Sequence, residues 1–253
     1  MIGTVERRSQ DVYGTAGFSL LEMLITITIM VIVFGVVVEG MIKMQQRNFA
    51  ESSKVDTVQQ TRDFVDQMVR DIHMVGYPPT RLTAGNPNCT NIVTVSCGVI
   101  HFDSTSIKYE GDLDGTGTVY QVWLQLLPPA SGNCPCILQR GAITKTAALG
   151  GAVPTYFTEV NGVLNSGNGA GAATYPISMP GPVSYAAYGP ADVFGAYDQN
   201  ATPFGVCDEA TTPNSCSGLR SLQITVNVAP NFMDVSSKSY PVYSITSKAR
   251  LNN

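Results

Sequence analysis

Charge is scarce in this chain. Asp, Glu, Lys and Arg make up 13% of the 253 residues, against about 25% in an average soluble domain. The formal net charge is −4 and the isoelectric point about 5.1, so a dedicated nucleic-acid surface is not expected. Histidine is nearly missing: His73 and His101 are the whole complement. There is no Gly-x-Ser-x-Gly, no His-Glu-x-x-His and no phosphate-cradling glycine loop. The sequence signatures of serine hydrolases, zinc peptidases and nucleotide-binding domains are therefore lacking, and neither an enzyme nor a cofactor is implied. No Cys-x-x-Cys occurs, which speaks against zinc.

What is present first is a long apolar run. From Phe18 to Val38 the only charged residue is Glu22. A membrane-spanning helix needs about 20 mostly apolar residues, and a lone carboxylate inside one is expensive enough to suggest a function. A secretory signal peptide has a shorter apolar core with an Ala-x-Ala-like site after it, and no such site follows this run. A plain signal anchor explains the hydrophobicity but not the small residue, the aromatic and the glutamate at the start. Arg7 and Arg8 weakly favour a cytoplasmic amino terminus.

The string Gly17-Phe18-Ser19-Leu20-Leu21-Glu22 resembles the class III signal of type IV pilins and type II secretion pseudopilins. The resemblance implies cleavage between Gly17 and Phe18 by a membrane prepilin peptidase, with N-methylation of Phe18. It also implies an assembly role for Glu22, whose carboxylate would face the Phe18 ammonium of a neighbouring subunit. Opposite charges attract strongly in low dielectric, and each alone would be costly there. Thr15 and Ala16 stand where pilin leaders often carry basic residues.

Between Glu39 and Val75 there is no proline, and the only glycine is Gly40. Val55, Val58, Val65, Met68, Ile72 and Val75, with Phe64 and Val69, fit one apolar face of a helix. Arg70 and Asp71 read equally well as part of its solvated face. Gly76-Tyr77-Pro78-Pro79 should end it. A helix over 19–75 would be roughly 85 Å long at about 1.5 Å per residue, useful to a membrane stem entering a head. Arg70-Asp71-Ile72-His73-Met74-Val75-Gly76-Tyr77, and the closing Ser247-Lys-Ala-Arg-Leu-Asn-Asn253, are similar to segments of PilW-like minor pilins. The stretch 18–40 also lacks the proline by which many major pilins break the stem.

Four β-branched or aromatic runs follow, at Val99–Phe102, Ser106–Tyr109, Thr118–Leu126 and Cys136–Arg140, divided by turn residues. Asp112, Asp114 and Thr116 before Gly117 look like the start of a calcium loop. Position twelve of such a loop is Trp123 rather than a glutamate, and an Asp/Gly-rich hairpin turn explains the same residues. Residues 141–218 are rich in Gly, Ala, Pro, Ser, Thr and Asn, with no Lys or Arg between Lys145 and Arg220. They read as a loop-rich insertion with Tyr156, Tyr175, Tyr185, Tyr188 and Tyr197 scattered through it. Two further strand patterns run from Leu219 and from Tyr240.

All six cysteines lie beyond the apolar run, which suggests disulfides in an oxidising compartment. Cys89 with Cys97 and Cys207 with Cys216 each close a short loop. Cys134 and Cys136, flanking Pro135, are the least natural pair.

The expectation is an α+β fold, with a long amino-terminal helix packed on an antiparallel β-sheet head. The divisions are 1–17 leader, 18–39 membrane span, 40–76 amphipathic helix and 77–253 head. The resemblance implies a minor pilin that helps start or cap a type IV pilus. Its partners would be prepilin peptidase, other major and minor pilins and the bacterial inner membrane, with the head extracytoplasmic. The alternatives are a J-type minor pseudopilin of type II secretion, or an anchored extracytoplasmic binding module that never polymerises.

Overall fold

The computed structural model describes residues 17–79, 89–165, 177, 191–234 and 237–251. The leader up to Ala16, with Tyr175, Tyr185, Tyr188, Asn252 and Asn253, lies outside the described residues. The fold is α+β: one long helix and an antiparallel sheet. The chain divides into two compact units, one ending at Gln46 and the other beginning at Arg47.

Helix α1 runs Leu20–Met74. In the first unit its side chains are exposed all round, Leu20, Met30 and Phe34 among them. Such a surface suits lipid or other apolar helices rather than water. Within a bilayer every backbone polar group must be satisfied internally, which a helix achieves. Its hydroxyls are satisfied too: Thr26 donates to the Glu22 carbonyl at 3.0 Å and Thr28 to the Leu24 carbonyl at 2.8 Å. By length and composition α1 can cross a membrane.

In the second unit α1 becomes one-sided. Thr61, Phe64, Val65, Met68 and Ile72 are buried, at the three- and four-residue spacing of one helix face. Val55 stays exposed, so the stripe begins later than the sequence pattern suggests. The helix stops before Gly76, whose φ is +84°. Its amide then donates to the Glu110 carbonyl at 3.1 Å, which ties the helix end to the sheet. The approach is close: a Cβ on Gly111 would lie 2.6 Å from the Met74 carbonyl oxygen, so only glycine fits there.

The strands are β1 Val99–Phe102, β2 Ser106–Gly111, β3 Tyr120–Leu127, β4 Cys136–Thr144, β5 Tyr156–Val163, β6 Phe194–Tyr197, β7 Cys207–Asp208, β8 Ser221–Val228 and β9 Tyr243–Arg250, with a short helix α2 at Lys145–Leu149. Their order is β6-β8-β5-β4-β3-β2-β1-β7, with β9 also paired to β8. β9 pairs along all of β8, while β6 and the end of β5 share the opposite edge. Alternation in β3 buries Val122, Leu124 and Leu126. These join Ile107, Tyr109, Leu138, Ile224, Val226 and the α1 face in one core.

The 141–218 stretch differs from the loop-rich expectation. It carries the end of β4, α2, β5, β6 and β7. β6, Phe194-Gly-Ala-Tyr197, is short and half small residues, which weaken the usual β signal, whereas the Tyr, Phe, Thr and Val of β5 carry that signal inside a stretch whose overall composition reads as loop. Tyr156 and Tyr197 sit on the sheet: Tyr156 lies 6.3 Å from Trp123 between ring centroids, and the Tyr197 hydroxyl donates to Gln223 Oε1.

Candidate functional site

The candidate processing and assembly residues are consecutive in the first unit. Gly17, Phe18 and Ser19 are non-helical and exposed. A Cβ on Gly17 would meet nothing within 4 Å, so packing within this chain does not require glycine there. The Ser19 carbonyl accepts from the Glu22 and Met23 amides at 3.0 and 3.1 Å, which starts the helix. Glu22 therefore stands in the first turn, where a carboxylate also complements the positive end of the helix dipole. Phe18 lies two residues before the helix and Glu22 in its first turn.

In the head, three disulfides join Cys89 to Cys97, Cys134 to Cys136 and Cys207 to Cys216. Each pair is close in sequence, as expected. The first and last tie down segments with little regular structure. The middle one closes around Pro135 at the start of β4.

Asp71 departs from the solvated-face reading. Its Oδ2 accepts from the Tyr109 hydroxyl at 2.9 Å and from Arg140 at 2.7 Å. Burial, reinforced by the Asp71 charge, pushes the Tyr109 hydroxyl pKa well above its ordinary value. Arg70, next in sequence, is exposed. The helix thus delivers one carboxylate to the sheet and leaves its neighbour in water.

His101 is not solitary either. Its Nε2 lies 3.2 Å from Asp103 Oδ2 and 3.1 Å from Ser106 Oγ, and Nδ1 lies 3.8 Å from Asp208 Oδ2. A Ser–His–Asp grouping invites a catalytic reading, but the hydrogen bonds oppose it. Ser106 Oγ donates to Asp103 Oδ2 at 2.7 Å, and that carboxylate also contacts the imidazole nitrogen a serine would need as its base. Asp103 Oδ1 takes the Thr105 and Ser106 amides, each at 2.6 Å. Burial works against the Asp103 charge, yet bonds from His101, Ser106 and Thr105 hold its carboxyl well below the usual range. The group closes the β1–β2 turn. The cross-strand pairing of His101 with Asp208 adds the second carboxylate, a partner more than a hundred residues away that no local motif could reveal.

The Asp112 and Asp114 loop joins β2 to β3 as an antiparallel hairpin, closed by Gly111 opposite Tyr120. Trp123 belongs to β3, with Lys108 Nζ 4.1 Å from its ring centroid, so the loop is not the twelve-residue helix–loop–helix type. Among the described residues no three His, Cys, Asp or Glu side chains converge on one point.

No family model, no curated protein and no solved structure matches this chain.

Proposed function

We propose that the chain is a pilin-like assembly subunit, with a type IV minor pilin of the PilW kind as the specific reading. Its support is a single juxtaposition. An exposed, non-helical Gly17-Phe18 junction leads directly into an apolar helix whose first turn carries the one carboxylate of that segment. On this reading a prepilin peptidase of the bacterial inner membrane cuts after Gly17 and methylates the Phe18 amine. The stem then anchors the subunit as a single pass, with the disulfide-bonded head outside. On assembly the stem leaves the lipid and packs against the stems of other pilins. The Phe18 ammonium and a Glu22 carboxylate neutralise each other in that low-dielectric bundle, where either charge alone would be costly.

The test is paired. Mass spectrometry of the native membrane protein should find an amino terminus at Phe18 carrying one methyl group. Glu22→Ala should be cleaved normally and reach the same membrane level, since losing a charge favours residence in lipid, yet it should be depleted from sheared fibres. Normal incorporation of Glu22→Ala would remove the assembly role. An uncut Gly17-Phe18 bond would leave only an anchored extracytoplasmic module.

A further inference from the structure

Asp112 is 2% exposed, and its Oδ1 is a buried oxygen without a hydrogen-bond donor among the described residues. A buried polar atom left unsatisfied is expensive, roughly 1–3 kcal/mol and more for a charged group. Most such atoms in folded proteins have a partner, and an orphan calls for an explanation such as a bound ion. Asp112 Oδ2 accepts from the Gly117 amide at 2.8 Å, so the carboxylate is turned across the loop that begins at its own backbone. Asp114 stands inside that loop, two residues further on. Asp114 Oδ1 takes the Thr116 amide at 3.0 Å and the Thr116 hydroxyl at 2.7 Å, and Oδ2 takes the Tyr120 hydroxyl at 3.1 Å. Ionised carboxylates are acceptors only, so Asp114 cannot supply the donor that Asp112 Oδ1 lacks. The Asp112 amide donates to the Tyr77 carbonyl at 3.0 Å, which sets the loop just past the carboxyl end of α1. That end of a helix favours positive charge.

We propose that the loop from Asp112 to Gly117 is a calcium site, with Asp112 Oδ1 and the Asp114 carboxylate as its charged ligands. The donor set selects the ion. Zinc needs nitrogen or sulfur ligands or a larger cluster of carboxylates, and no group of three such side chains converges here among the described residues. Two carboxylates neutralise one divalent cation. Backbone carbonyls, the Thr116 hydroxyl and water complete an all-oxygen shell, which calcium accepts in irregular geometry and magnesium does not. A site with two charged ligands belongs with extracellular modules that bind at about 10⁻⁴–10⁻³ M. Filling it would give the Asp112 oxygen a partner and lock the β2–β3 turn against the helix end. The site is independent of the assembly reading, since it lies wholly in the head.

The experiment uses the full-length protein in detergent micelles, with terbium as a luminescent calcium probe sensitised by Tyr120. The expected result is one saturable site whose terbium signal calcium displaces with half-effect at about 0.1–1 mM. Asp112→Asn and Asp114→Asn should each weaken binding at least tenfold, and Asp56→Asn, an exposed change on α1, should leave it unchanged. Absence of saturable binding overturns the proposal, as does equal binding by Asp112→Asn and Asp114→Asn. Displacement by magnesium as readily as by calcium overturns the calcium assignment. Should the variants misfold, hydrogen exchange of the wild type decides. Calcium must slow the amides of Thr116, Gly117 and Thr118 while leaving β8 unaffected, and an unprotected loop overturns the site.

Discussion

Lys145 Nζ lies 2.6 Å from Glu110 Oε2, with the lysine side chain fully buried and the glutamate 2% exposed. The ammonium also donates to the Cys89 and Val95 carbonyls at 2.8 and 2.9 Å. Glu110 accepts in turn from the Cys97 amide and from Gln121. One ion pair therefore holds β2, the start of α2 and both ends of the Cys89–Cys97 loop. Lysine is almost never fully buried unless paired, and here every donor position has an acceptor.

Removing one partner should be worse than removing both. Glu110→Ala leaves a sealed ammonium without its counter-charge and should cost about 3–5 kcal/mol. Lys145→Met leaves a buried carboxylate and should cost a similar amount. The double variant should lose clearly less than the sum of the two, because no stranded charge remains. Denaturant unfolding followed by fluorescence of Trp123, the single tryptophan, gives the cycle. Additive losses would show that the two groups are energetically independent.

The Asp71 network gives a ranked prediction. Asp71→Ala deprives both Arg140 and Tyr109 of their acceptor, and Arg140 is mostly buried. Tyr109→Phe removes only one donor and leaves the Asp71–Arg140 pair intact, at a cost of about 1 kcal/mol. Asp71→Ala should therefore be the more damaging by a factor of two or more in free energy. Arg70→Ala, on the wet side of the same turn, should stay within about 0.5 kcal/mol of wild type. Equal effects of Asp71→Ala and Arg70→Ala in the same unfolding assay would return Asp71 to the solvent face.

These contacts mark the limit of what sequence shows. The α1 boundaries and the first four strands were legible because each had a clean period, 3.6 or 2, and Gly or Pro at its ends. The disulfide pairs were legible because each closes a short loop. Asp71 and Arg70 are indistinguishable by type. What separates them is which points at the sheet, and that depends on register with β4, sixty-nine residues away. Lys145 looked like the last basic residue before a stretch without Lys or Arg, and its partner lies on β2, beyond β3. β6 was hidden by small residues, while β5 carries β-forming residues inside a stretch that reads as loop by its overall composition. Buried Asn165 pins this region, donating to the Asp192 and Thr225 carbonyls and accepting from the Asn227 amide, and isolated asparagines carry no such signal. In the candidate site Gly17, Phe18 and Glu22 were readable as a local string. The Asp112 oxygen without a donor was not, because burial is a property of the fold.

Asp103 supplies a pH signature. Its carboxyl is held below its ordinary value, so the folded state binds fewer protons than the unfolded state in that range. The resulting stability is fully present above the unfolded carboxylate value of about 3.9 and is lost as pH falls toward the folded one. Asp103→Asn cannot make this contribution at any pH. The stability difference between wild type and Asp103→Asn should be constant near neutrality and shrink as pH drops below about 4. Urea midpoints measured from pH 7 to pH 3 check this. A difference that keeps its size across the range would mean that the charge of Asp103 does not matter.

The Cys207–Cys216 bond has a local consequence as well as a global one. β7 is only two residues long, Cys207 and Asp208, and it pairs with β1 at the edge of the sheet. Two residues make too little ladder to persist alone, so its order depends on what fixes the chain on either side. The disulfide closes a loop with a sequence separation of 9, and Glu209 caps it by accepting from the Asn214 and Cys216 amides. Closing a loop of that size stabilises the fold by about 2–3 kcal/mol in the chain-entropy view. Replacing both cysteines by serine should lower global stability by that order. It should also free β7 from β1, expose the β1 edge and release Asp208 from the neighbourhood of His101. Hydrogen exchange separates the two effects. In the double serine variant the Glu209 amide, which donates to the Ile100 carbonyl at 2.9 Å, should exchange much faster than in wild type. Amides of β3 and β4 should change only by the global loss. Uniform acceleration over all strands would mean that the bond acts on the unfolded chain alone. An unchanged Glu209 amide would mean that β7 is held by its strand pairing without the crosslink.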